Sequence, residues 1–188
     1  MTRLPVARRE NAPLDQQAHF DELVKENGSV PSHGPTSLLA HAPKAWRLEK
    51  NMRDYFRYKS ALSGEIVELV ILIAARELDC QFVWNSHAGP AQKAGLSREL
   101  VEALRDRKEL PSIPDVQRAV INYGREFFRT HRVSRGAHQN VLDHLQERGL
   151  VELSLLFGNY CMLAFLLNAN DADLRPNRDE ALLPVLPV

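Results

Sequence analysis

Apolar residues along this chain recur at helical spacing, and no segment alternates for long enough to make a convincing strand. From Glu68 to Ala75 the only non-apolar residue is Glu68 itself, so a helix over 66–75 is expected to be buried nearly all round, with Ser63 as its N-cap. A second apolar stretch, Leu150–Leu167, contains Glu152, Asn159 and Tyr160 and reads as a buried helix rather than a membrane span. Between these lie amphipathic segments. One runs over 43–58 with Ala45, Leu48, Met52, Tyr55 and Phe56 on one side. Another carries Val116, Ala119, Val120, Tyr123 and Phe127, and a third spans about 134–148 and stops at Gly149.

Punctuation fixes the remaining boundaries. A break near Leu78–Asp79 lets the helix that begins at about Asp79 fold back on 66–75. Gly89-Pro90 should kink or interrupt that helix, Gly95 ends it, and Ser97 caps a short helix over 98–105. Residues 1–36 are polar and hold Pro5, Pro13, Pro31 and Pro35, which suggests an extended arm with a short helix around 15–25. After Asp171 the chain holds Pro176, Pro184 and Pro187, and 171–188 reads as an extended tail. The expectation is an all-α bundle of about six to eight helices over 37–170, between these two extensions.

The Leu78–Asp79 pivot brings chemistry together. Glu68 lies ten residues before Leu78 and His87 nine after it. At a rise of about 1.5 Å per residue both sit roughly 14–15 Å from the turn, level in an antiparallel pair. A carboxylate holding an imidazole in an apolar wall suits general acid/base work. Cys80, Trp84 and His87 follow i, i+4, i+7 spacing and share a face. Cys80 reads either as a thiol activated by a helix N-terminus or as a small buried hydrophobe. Trp84, Phe82 and Tyr55 are pocket-lining candidates whose alternative is the core. Arg53, Arg57 and Arg76 could anchor a substrate carboxylate through the planar guanidinium fork, and Arg76 has the best claim because it lies between Glu68 and Cys80.

The segment 65–97 resembles the core signature of the carboxymuconolactone decarboxylase superfamily, which includes the AhpD-type alkylhydroperoxidases. That signature has a Glu twelve residues before a Cys or small residue and a His seven residues after it. Glu68, Cys80 and His87 match, and Ala94-Gly95-Leu96-Ser97 resembles the exit. The decarboxylase-like branch often reads Tyr-Glu-Trp where this chain has Phe82-Val83-Trp84. The peroxidase branch has Cys-x-x-Cys where this chain has Cys80 and Val83. The resemblance implies an AhpD-like helical bundle and a homo-oligomer. It also implies a cofactor-free carboxy-lyase acting on a small carboxylated or lactone substrate from aromatic-compound breakdown. Glu68, His87 and Cys80 would be its catalytic candidates, and Trp84, Arg76 and Tyr55 its substrate-binding candidates. Two alternatives stay open: a thiol redox protein of the peroxiredoxin type centred on Cys80, and a non-catalytic oligomeric module.

Composition narrows the surroundings. Lys plus Arg equals Asp plus Glu at 24 each, so no overall field favours nucleic acid or an anionic membrane. Two cysteines make no disulfide framework, and residues 1–10 hold no apolar run for a signal peptide; both fit a reducing cytoplasm. His131, His138 and His144 lack metal-ligand spacing and read as a solvated basic stretch, and no metal or cofactor is expected. Two helices apolar on more than one face, 66–75 and 150–167, again suggest a homo-oligomer.

Overall fold

A computed structural model describes residues 2–175 and 180–185 of the chain. Among them are eight α-helices and no strand: α1 (Gln17–Asn27), α2 (Gly34–Leu39), α3 (Pro43–Tyr58), α4 (Gly64–Glu77), α5 (Gln81–Lys93), α6 (Arg98–Asp106), α7 (Asp115–Thr130) and α8 (Arg135–Ala169). The central element is α4, which packs against α5, α7 and α8. Its sequence explains the position, since from Leu69 to Arg76 every residue is buried. The Ser63 Oγ accepts the Ile66 N–H at 3.3 Å and starts the helix. At the other end Asp79 takes a positive φ of 49°, and the Cys80 N–H donates to the Ala75 carbonyl at 2.7 Å. The chain reverses in three residues, and α5 lies antiparallel on α4.

Two expected breaks take another form. Pro90 sits inside α5, which continues to Lys93. A proline has no N–H to give to the carbonyl one turn back, so the Ser86 carbonyl loses its helical donor beside His87. Gly149 does not end a helix. The backbone leaves helical geometry at Gln146 (φ 57°, ψ −179°), and α8 then runs on through Gly149. Gly149 is there for close packing: a Cβ at that position would meet the Leu145 Cβ at 2.8 Å. By length and composition α8 could cross a membrane, yet half of its most apolar window is buried in the bundle.

The inward face of α3 also departs from expectation. Ala45, Leu48, Met52 and Tyr55 are exposed, and of the expected stripe only Phe56 is buried. The helix is rotated to bury Trp46 and Glu49 instead. Trp46 is needed elsewhere: with Ala7, Ala12, Phe20, Leu23 and Ala40 it forms a second small core. Residues 7–27 are therefore packed onto α3 rather than extended, and Thr2 and Arg3 bond to Asp173 and Asn170 just past α8. The tail is likewise held by its own chain. Leu183 is buried, the Gln81 side chain donates to the Leu183 carbonyl at 2.7 Å, and Gln81 Oε1 accepts the Leu183 N–H at 2.9 Å. Met1, residues 176–179 and residues 186–188, with Pro176 and Pro187, lie outside the described residues.

Candidate functional site

The helix pair α4–α5 brings Glu68 and His87 together, as their distances from the pivot require. His87 Nδ1–H donates to Glu68 Oε2 at 2.8 Å. The two side chains are 14% and 13% exposed, so the pair is largely withdrawn from water but still reachable. The carboxylate fixes the tautomer and leaves Nε2 as the nitrogen that can exchange a proton. The ring of Tyr160, from α8, stands edge-on to the imidazole, with centroids 5.5 Å apart and planes at 88°.

His87 and Tyr160 line a cavity of about 270 Å³ whose walls come from four helices and the tail. From α3 come Arg53 and Arg57, from α5 Val83 and Ser86, from α8 Leu163, and from the start of α2 His33 and Thr36; Arg175 joins them. The α2 wall is seated by Gly34, whose φ of +73° and lack of a side chain let the Phe82 ring approach. A Cβ there would fall 2.5 Å from Phe82 Cζ. Glu68 lines a second cavity of about 240 Å³, and Arg57 borders both.

The other sequence candidates lie elsewhere. Cys80 precedes α5 at its cap position and is completely buried. Burial pushes its thiol up to about 11, against a smaller opposing effect of the Val83 and Phe82 amides. Burial and the raised pKa favour the buried-hydrophobe reading of Cys80 over the activated thiol. Trp84 is 1% exposed and belongs to the main core rather than to a pocket wall. Arg76 is buried at the far end of α4, where it pairs with Asp79 and borders a different cavity of about 840 Å³. Tyr55 is turned away from His87 and donates its hydroxyl to Glu152. Phe82 does border the His87 cavity.

The guanidiniums that do reach the site are Arg53 and Arg57, which sequence reading had set behind Arg76. A helical count from Tyr55 could not place them, because α3 is rotated relative to its most apolar stripe. Tyr160 and His33 escaped notice for a different reason. They come from segments far from 65–97, and only the tertiary fold brings them to His87. Tyr160 is 4% exposed. Burial raises its hydroxyl pKa, with Arg57 and Arg53 opposing and Glu68 and Glu49 reinforcing the effect. His131, His138 and His144 are exposed, and among the described residues no three His, Cys, Asp or Glu side chains converge as metal ligands would.

No family model matches the sequence, and no curated protein matches it. Solved structures do. An uncharacterized peroxidase-related protein with an alkylhydroperoxidase AhpD core, from Ralstonia eutropha JMP134, superposes with a TM-score of 0.71 at 17% identity, over 94% of this chain and 92% of that one. An uncharacterized peroxidase-related protein from Silicibacter sp. TM1040 gives 0.70 at 17% identity, over 93% and 92%. The debrominase Bmp8 gives 0.67 at 12% identity, over 92% and 91%. The chain has the AhpD-like fold.

Proposed function

We propose that this AhpD-like bundle is a cofactor-free acid/base enzyme that removes carbon dioxide from a small carboxylated substrate, with His87 as proton donor and Glu68 as its orienting partner. The observation that carries the reading is the partly buried Glu68–His87 hydrogen bond at the wall of a cavity that also holds Arg53 and Arg57. The arginines supply a seat for carboxylates. When the bond between a carbon and its carboxylate breaks, carbon dioxide leaves and the electron pair stays on the carbon. A carbonyl conjugated with that carbon takes up the charge, and the protonated His87 Nε2 returns a proton to the carbon. Such a substrate supplies its own electron sink, so the step asks the protein only for a cation and an acid. We place the reaction in the cytoplasm, where both cysteines stay reduced.

The thiol-redox reading is disfavoured by particular residues. Val83 faces the cavity where the peroxidase pattern has its second cysteine, and Cys80 is sealed behind it. The debrominase superposes on this chain, but this chain's cavity wall contains no thiol among the described residues.

The test is carbon dioxide release from a panel of carboxylated γ-lactones and β-keto acids. His87→Ala should lower kcat by about 100-fold or more, the range of general acid catalysis. Glu68→Gln should lower it less and change the pH profile. Turnover that survives His87→Ala unchanged would remove the proposal.

A further inference from the structure

The proposed acid/base pair gives no task to Tyr160. Tyr160 projects from α8 into the same cavity, lies almost entirely out of water, and stands edge-on to the His87 ring. Its hydroxyl makes no hydrogen bond to any described residue. The oxygen is open to the cavity rather than sealed inside the protein. The nearby Arg53 and Arg57 border the same cavity and cannot accept a hydrogen bond, since a guanidinium is donor-only. The Tyr160 hydroxyl hydrogen is free to go to water or to an acceptor that enters with a ligand.

We infer that Tyr160 is a catalytic residue that donates its hydroxyl hydrogen bond to an oxyanion of enolate type formed on the substrate, making conjugated or aromatic oxyacids the ligand class of this cavity. The inference rests on the acid/base reading of His87, and adds where the charge goes. As the carboxylate bond breaks, the electron pair moves through the adjacent carbon onto the carbonyl oxygen. The Tyr160 O–H stabilises that oxygen without giving up its proton, and the pair returns to carbon when His87 delivers a proton there. The raised pKa of the phenol fits this role, because a hydroxyl that stays protonated is a donor and not a base. The ring contact fixes the hydroxyl relative to His87. Donor and acid thus act on two neighbouring atoms of one substrate.

Substituted nitrophenols mimic such an oxyanion and need no knowledge of the natural substrate, while benzoate reports on the arginine seat alone. With the full chain at neutral pH, 4-nitrophenol should bind in its ionised form, visible as the nitrophenolate band, and the bound phenol should ionise at lower pH than the free one. Tyr160→Phe should weaken nitrophenolate binding about tenfold, as loss of one hydrogen bond to a charged group does, and leave benzoate affinity within about twofold. Unchanged nitrophenolate affinity in Tyr160→Phe, with benzoate still bound, would overturn the role of Tyr160 and leave the His87 reading standing. Equal losses for both ligands would make Tyr160 a packing residue and overturn it too. If the wild-type chain binds neither ligand, the cavity is no anion seat and both proposals fall. The wild-type measurement decides without any variant, because a bound nitrophenol that stays neutral contradicts an oxyanion site.

Discussion

Glu49 and Glu152 both sink into the seam between α3 and α8, but their partners differ. Glu152 accepts hydrogen bonds from Tyr55, from the Ala61 N–H at 2.7 Å and from Arg148 at 2.9 Å. Burial alone would raise its pKa; these donors outweigh it and hold the carboxyl below its ordinary range. Glu49 has Arg53 at 3.1 Å but no well-aligned hydrogen bond, and burial pushes it up. The signs follow. Stability from Glu152 is present above the ordinary carboxylate pKa and lost as pH falls through its lowered value. Stability from Glu49 is complete below the ordinary pKa and lost as pH rises through its raised value. Glu49→Gln should therefore raise the melting temperature at neutral pH, and the gain should fade in acid. Glu152→Ala should cost about 2 kcal/mol at neutral pH, because it leaves donors without an acceptor. Urea denaturation across a pH series checks both. A destabilising Glu49→Gln at neutral pH would count against the burial argument. Sequence reading could not reach Glu49, because a charged residue at that position argues for solvent until the rotation of α3 is known.

At the scale of elements, what could be read early were the boundaries written in local chemistry. Ser63 caps α4, and the break at Leu78–Asp79 reverses the chain, so Glu68 and His87 were level before any tertiary contact was known. What could not be read was set by packing. Gly149 resembles a helix stop and serves instead as a flat spot beneath Leu145. Cys80 sits at a helix start, a setting that activates thiols in water, but complete burial reverses the effect. Peroxide consumption with a dithiol reductant should accordingly be slow in the wild type and unchanged in Cys80→Ser. Fast turnover abolished by that substitution would restore the thiol reading. The start of α2 supplies another check. Gly34→Ala adds a Cβ into the Phe82 ring at a positive φ and should destabilise the chain by more than about 1 kcal/mol. A neutral effect in a thermal melt would show that α2 is free to shift off α5.

The whole molecule leaves apolar surface uncovered. Val151, Leu155, Met162 and Phe165 are each about half or more exposed along one side of α8, and Leu48 and Met52 on α3 add to the surface. A stripe of this kind points to a second copy of the chain, which is the expected homo-oligomer. Light scattering should give a mass well above that of one chain, and Leu155→Glu with Phe165→Glu should return it to a monomer with its helix content unchanged. A wild-type monomer at micromolar concentration would end the idea. Because Leu183 docks on α5 of its own chain, removing 172–188 should uncover core surface and lower the melting temperature.

The two hydrophobic cores divide the chain unequally. The small one, built on Trp46 and the segment before α3, holds few side chains, whereas the large one runs through α4 to α8. Yet His33 and Thr36, at the start of α2, border the cavity in front of His87. A subglobal opening of this segment, cheaper than unfolding the bundle, would widen the way to the imidazole. Hydrogen exchange should find amides of residues 17–40 opening well before those of α4, and any tight cavity ligand should slow the former more than the latter. Protection that is uniform across both segments would mean that the cavity opens by side-chain motion alone.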